Sequence, residues 1–199
     1  MQRLFPKRPD LQLCESTMSY YPQFLGRKEA DTLYHVLRKN VPWQQDSIKI
    51  FGRDYLQPRL TALYGDNEKS YSYSNITMHP KKFIPELLEL KQNIEEKCKT
   101  KFTTCLLNLY RNGKDSNGWH ADNEKELGKE PVIASISLGA ERFFHLKHQE
   151  IKSERYKLLL EHGSLLVMGG KTQHKWLHQI PKTSREVGER INLTFRYIP

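Results

Sequence analysis

The stretch "GWHADNE", residues 118–124, sets a histidine and an aspartate two positions apart, and both side chains bind metals. In a β-strand, positions i and i+2 share a face, so His120 and Asp122 would reach toward one point. The pair is then half of a metal site; its other reading is a polar surface turn. A partner is available in "HKWLHQIP", which reads as a strand and offers His174 and His178. Two imidazoles and one carboxylate leave three positions open on the metal, the facial arrangement of non-haem Fe(II) oxygenases. His178 is preferred because it stands beside the strand end at "QIP", where ligands gather at a barrel mouth. His174, read on the same face, is the reserve. His35, His79, His145, His148 and His162 are read as structural or surface histidines.

An iron site of this type needs a co-substrate that donates two electrons. 2-Oxoglutarate carries two carboxylates, so its site needs fixed positive charge, which the planar guanidinium of arginine supplies. The last strand-like run, "RINLTFR", places Arg190, Asn192, Thr194 and Arg196 on one face and Ile191, Leu193 and Phe195 on the other. Two arginines, an amide and a hydroxyl directed into one barrel are costly unless anions bind there. "LLNLYR" supplies a second polar face in Asn108 and Tyr110.

These residues need a scaffold. Seven short runs after residue 100, rich in branched and aromatic residues and separated by turn signals, predict a jelly-roll-like β core. Before it, "GRKEADTLYHVLRKN" has apolar residues Ala30, Leu33, Val36 and Leu37 near helical spacing. "KFIPELLELKQNIEEKCK" predicts a second helix with Leu87, Leu88, Ile94 and Cys98 inward. "SYYPQFL" reads as a strand, and "DSIKIFGRDYLQPRLTALYGD", with Gly52 after Phe51, as a hairpin. The expected class is α+β, mainly β: one domain over 1–199, with a loosely attached lead-in at 1–17, helices and a lid over about 18–99, and the jelly roll over about 100–199.

Composition sets the bounds. There are 32 Lys+Arg against 23 Asp+Glu, a formal charge of +9, with a pI near 9.4. That excess favours a polyanionic partner. The apolar fraction is 37%, and no run is long and charge-free enough to suggest a membrane span or signal peptide. Cys14, Cys98 and Cys105 form no CxxC pair, which points to a reduced intracellular compartment: cytoplasmic in a bacterium, nuclear in a eukaryote. A monomer is expected.

Taken together, "NLYRNGKDSNGWHADNE", "PVIASISLGAERFFHLKH", "HGSLLVMGGKTQHKWLHQIP" and "RINLTFR" resemble the AlkB family of Fe(II)- and 2-oxoglutarate-dependent nucleic-acid dealkylases, over roughly residues 45–198. The likeness is greatest to the DNA-repair branch that works on duplexes as well as single strands. The resemblance implies a double-stranded β-helix, with Fe(II) on His120, Asp122 and His178. It implies Arg190, Tyr110 and Asn192 at the distal carboxylate of 2-oxoglutarate, and Arg196 with Asn108 at its C1 end. It places Tyr71 and Tyr73 of "YSYS" around a flipped base, with Glu124 near a cationic base and Asn123 where some relatives carry a second acid. "KIFGR" matches a wedge hairpin, so Phe51 and Gly52 would fill the gap left by the base, and Arg53 and Arg59 would touch phosphates or the opposite strand. The implied reaction is oxidative removal of N-alkyl groups, of the 1-methyladenine and 3-methylcytosine type, releasing formaldehyde, succinate and CO2. The implied partner is alkylated DNA, duplex or single-stranded. Alternatives are an RNA demethylase, a hydroxylase acting on RNA or protein, and a non-catalytic nucleic-acid-binding module. A metal hydrolase would leave the paired arginines without a role.

Overall fold

The computed structural model describes residues 3–4, 10–50, 53–67, 71–73 and 76–199. In chain order come β1 (Arg3–Leu4), β2 (Asp10–Leu13), β3 (Ser16–Tyr21), α1 (Arg27–Asn40), β4 (Ser47–Ile50), β5 (Arg53–Leu56) and β6 (Leu60–Gly65). Next are β7 (Tyr71–Tyr73), β8 (Ile76–Met78), β9 (Lys81–Lys82) and α2 (Pro85–Cys98). The second half holds β10 (Thr104–Tyr110), β11 (Asn117–His120), β12 (Ile133–Gly139), β13 (Arg142–His148), β14 (Arg155–Leu160) and β15 (Ser164–Gly170). A short α3 (Thr172–Lys175), β16 (Trp176–Ile180) and β17 (Arg190–Arg196) close the chain.

Two sheets face each other. The larger has eight strands in the order β2-β3-β15-β12-β17-β10-β6-β9, and the smaller five, β1-β14-β13-β16-β11. From β10 to β17 the chain alternates between the two sheets at every step except the β13–β14 hairpin, which stays in the smaller one, the two-sheet winding of a jelly roll. All seven residues of both β10 and β17 are buried, because these central strands are covered on both faces. Leu106 and Tyr110 face the smaller sheet, against Phe144, Leu146 and Trp176. Leu107, Leu109, Ile191, Leu193 and Phe195 face the two helices. Each fully buried side chain of this size stabilises by about 1.5–3 kcal/mol.

The helices form where their apolar spacing predicts. α1 buries Ala30, Leu33 and Leu37. α2 opens on Pro85 in its first turn, where the missing N–H is no loss, and stops at Lys99 in the left-handed conformation, φ 50°. Its buried residues are Leu87, Leu90 and Ile94. Leu88, expected inward, is 39% exposed: one residue turns the helix about 100°, off the Leu87–Leu90–Ile94 stripe. Cys98 is half-buried.

Three further expectations change. The lead-in is not wholly loose: β2 pairs with β3 at the end of the larger sheet, and β1 runs parallel to β14. The larger sheet also draws β6 and β9 from before residue 100, so the jelly roll is not confined to the second half. Eight strands rather than seven follow residue 100, the additional one being β11. The β4–β5 hairpin forms as read, with Ile50 opposite Arg53, but Phe51 and Gly52 at its tip lie outside the described residues. All three cysteines are free thiols, and no helix among the described residues is long and apolar enough to cross a membrane.

Candidate metal centre

His120 closes β11 and His178 lies in β16, and the antiparallel register sets them directly opposite each other. Their ring centroids are 4.2 Å apart. β11 ends at His120, so strand alternation does not place Asp122, contrary to the sequence argument. A loop places it instead. Gln173 Oε1 accepts the Asp122 amide N–H at 2.9 Å, and Arg196 donates to the Asp122 carboxylate at 2.9 Å. The ligand atoms of His120, Asp122 and His178 all lie within 4.8 Å of one another. His174 is not on the strand: it belongs to α3, where its Nε2 meets the Lys129 carbonyl.

The electrostatics suit a cation. Burial alone would raise the Asp122 pKa, but Arg196, His178 and His120 overcome it and hold the carboxyl at about 2. Burial, reinforced by His120, pushes His178 down to about 3. His120 is also lowered, chiefly by burial. At neutral pH the trio is therefore one carboxylate and two neutral imidazoles, the protonation state metal ligands require. His120 Nδ1 lies 2.7 Å from the Gly118 carbonyl, which can only accept. Nδ1 then carries the proton and Nε2 keeps its lone pair, facing Asn117 Nδ2 at 3.1 Å. A backbone carbonyl that fixes the tautomer in this way is the usual support of a ligand histidine.

The other end of the same pocket is cationic. Arg190, Asn192, Thr194 and Arg196 line it together with the trio, as alternation predicts. Arg190 is 1% exposed. One nitrogen donates to Ser137 Oγ at 2.8 Å; its Nε and NH1 have no hydrogen-bond partner among the described residues. The Tyr110 ring centroid lies 5.3 Å from the guanidinium carbon. Burial lowers the Arg190 pKa to about 10, which still leaves it charged at neutral pH. A buried cation with unused donors is costly unless an anion completes it. Arg190, with two donors unused among the described residues, thus fits a carboxylate ligand, and the His120–Asp122–His178 trio fits a metal.

Asn192 donates to Ser135 Oγ at 2.7 Å and to the Ile136 carbonyl at 3.1 Å. Asn108 accepts from Arg59 Nε at 2.8 Å. Arg59, expected at phosphates or the opposite strand, is 5% exposed and lines this pocket. It braces Asn108 and the Ser116 carbonyl from inside rather than reaching into solvent. Arg53 is exposed on β5, Glu124 is half-buried just before the short 3-10 helix Lys125–Leu127, and Tyr71 and Tyr73 lie on β7, paired with β8.

Sequence reasoning missed Gln173, Asn117, Ser135 and Ser137. The serines carried a signal: they recur two apart in the apolar run "IASISL", and register sets them opposite Thr194 and Asn192. Gln173 carried none, because it acts from a different element.

Fold and ligand set together define a class, the mononuclear metal proteins whose site is built inside a jelly roll. The family model described as the 2OG-Fe(II) oxygenase superfamily matches residues 17–196, and the chain belongs to that superfamily and, within it, to the AlkB family. Fe(II) and 2-oxoglutarate are the superfamily's cofactors. The alpha-ketoglutarate-dependent dioxygenase alkB homolog 3 of Bos taurus is 45% identical over 186 residues, covering 89% of this chain and 64% of its own length. The chain thus spans a little under two thirds of that relative. The DNA oxidative demethylase ALKBH2 of Mus musculus is 35% identical over 188 residues, 89% of this chain and 79% of that one. The solved structure of OsALKBH1 shares the fold, with a TM-score of 0.65 at 20% identity over 95% of this chain and all of that one.

Proposed function

We propose that this chain removes N-linked alkyl groups from nucleic-acid bases by oxidation, with 2-oxoglutarate and oxygen as co-substrates. One observation carries the reading: the His120–Asp122–His178 trio and the incompletely bonded Arg190 wall a single pocket. When bound, Fe(II) and 2-oxoglutarate supply an oxidant able to hydroxylate an N-methyl carbon, after which formaldehyde leaves and succinate and CO2 are released.

The chain's own residues bind and orient. His120, Asp122 and His178 hold the metal. Arg190, beside Tyr110 and Asn192, takes the distal carboxylate, and Arg196 with Asn108 the C1 end. Tyr71 and Tyr73 flank the extruded base, and Glu124 favours a cationic one such as 1-methyladenine or 3-methylcytosine. Phe51 and Gly52 fill the vacated stack, and Arg53 reaches the backbone. DNA is the favoured polymer, since one relative is named a DNA oxidative demethylase.

The test is formaldehyde and succinate release with Fe(II), 2-oxoglutarate and oligonucleotides carrying either lesion, as DNA or RNA, single-stranded or duplex. Stoichiometric succinate and repaired base support the reading, and the same assay ranks the polymers. Asp122→Ala should abolish turnover. Succinate without base repair would move the substrate elsewhere, and neither product would overturn the assignment.

A further inference from the structure

The sheet that carries His120 and His178 on its inner face has an outer face built by the same alternation. On β13, Phe143, His145 and Lys147 are partly exposed between buried neighbours. The register sets Lys157 opposite His145 and Arg155 opposite Lys147 on β14. β11 brings Trp119, 38% exposed and adjacent in the chain to His120. The face therefore combines three cations with two aromatic plates. Lys147 Nζ stands 4.4 Å from the Trp119 ring centroid, and Lys157 Nζ 5.2 Å from that of Phe143.

Some cations of the chain are neutralised in ion pairs, as Arg38 is by Glu189, Lys91 by Asp66, Arg111 by Asp115 and Lys175 by Glu150. Lys147, Arg155 and Lys157 form no ion pair among the described residues. A cluster of one sign, without internal neutralisation, suits an external polyanion.

We propose that this outer face is a platform for single-stranded nucleic acid that flanks the nucleotide held in the pocket. Phosphates lie on Lys147, Lys157 and Arg155, and unstacked bases lie on Trp119 and Phe143. The aromatic plates decide between polymers: an acidic peptide would use the cations and leave the rings idle, and a duplex keeps its base faces stacked, whereas a single strand uses both. The proposal rests on the nucleic-acid reading above. It adds a path, because residues 119 and 120 face opposite sides of the edge strand β11, so a strand leaving the pocket crosses that edge onto the platform.

The experiment is fluorescence anisotropy on the full chain with unmodified deoxyoligonucleotides of about 5 and about 20 nucleotides, across a salt series. The triple variant Lys147→Gln/Arg155→Gln/Lys157→Gln should bind the long strand at least about tenfold more weakly at low salt. Its log Kd against log salt slope should fall by about 2, three cations at ~0.7 each, and the short strand should bind as before. Trp119→Ala should weaken the long strand about 5- to 100-fold with the slope unchanged. Wild-type affinity and slope in both variants would overturn the platform, as would equal losses for short and long strands. If the wild-type chain binds neither strand, the nucleic-acid reading itself fails.

Discussion

Arg196 and Asp122 form an ion pair of 2.9 Å with their side chains only 5% and 3% exposed. The pair joins the last strand of the sheet to the loop that carries the carboxylate ligand, so one contact serves both fold and site. Removing one partner of a buried pair strands the other charge, at a cost of roughly 3–5 kcal/mol. Arg196→Leu should lower the stability of the metal-free chain by that amount in urea unfolding. Asp122→Leu/Arg196→Leu should recover most of it, and a double variant no more stable than the single one would show that the penalty lies elsewhere.

Arg190 predicts the opposite sign. Among the described residues its Nε and NH1 are buried without hydrogen-bond partners, so the free protein carries a solvation penalty that an apolar isostere removes. Arg190→Met should hold or raise apo stability, by up to about 2 kcal/mol, while 2-oxoglutarate binding by calorimetry falls sharply. Retained binding would remove Arg190 from the co-substrate site.

Gly139 turns β12 into β13 at φ +83°, and a Cβ there would sit 2.5 Å from the Glu189 carbonyl oxygen and 2.9 Å from the Tyr34 ring. Both the backbone region and the space exclude a side chain. Gly139→Ala should destabilise by about 1–3 kcal/mol in thermal unfolding, and a neutral result would mean that α1 yields without cost.

Asp115 accepts the Arg111 amide and two guanidinium nitrogens. Burial works to raise its pKa, but the Arg111 contacts prevail and hold it below the ordinary carboxylate value of 3.8. A depressed folded pKa gives stability that is present above the unfolded value and lost as pH falls through the folded one. Asp115→Asn should therefore cost about 1.5–3 kcal/mol at pH 7, and the gap between the two proteins should narrow below about pH 4. A gap independent of pH would point to lost geometry rather than lost charge.

What the sequence revealed follows from which constraints are local. Alternation in "RINLTFR" identifies the pocket face of β17 because both faces of that strand are buried, so a polar residue there needs a reason. The metal trio was legible from residue type, but its geometry was not. His120 faces His178 through cross-strand register, and Asp122 is set by Gln173 and Arg196, 51 and 74 residues away. Arg59 differs for the same cause: the resemblance sets it at phosphates or the opposite strand, whereas β6 lying beside β10 turns it inward onto Asn108. Leu88 shows the limit of hydrophobicity as a guide: it is as apolar as Leu87 and Leu90 but points off their stripe.

The strands that carry the site differ in how firmly they are held. β17 is bonded on both sides, by β10 and β12. Among the described residues β11 lies at the end of its sheet with β16 as its one neighbour, and its pairing is irregular between Asn117 and His120. Amide protons on β17 should exchange with solvent only when the whole domain opens, whereas those on β11 can exchange by local fraying. The Arg190 end of the pocket is thus built on a strand held from both sides, and the His120 end on a rim held from one.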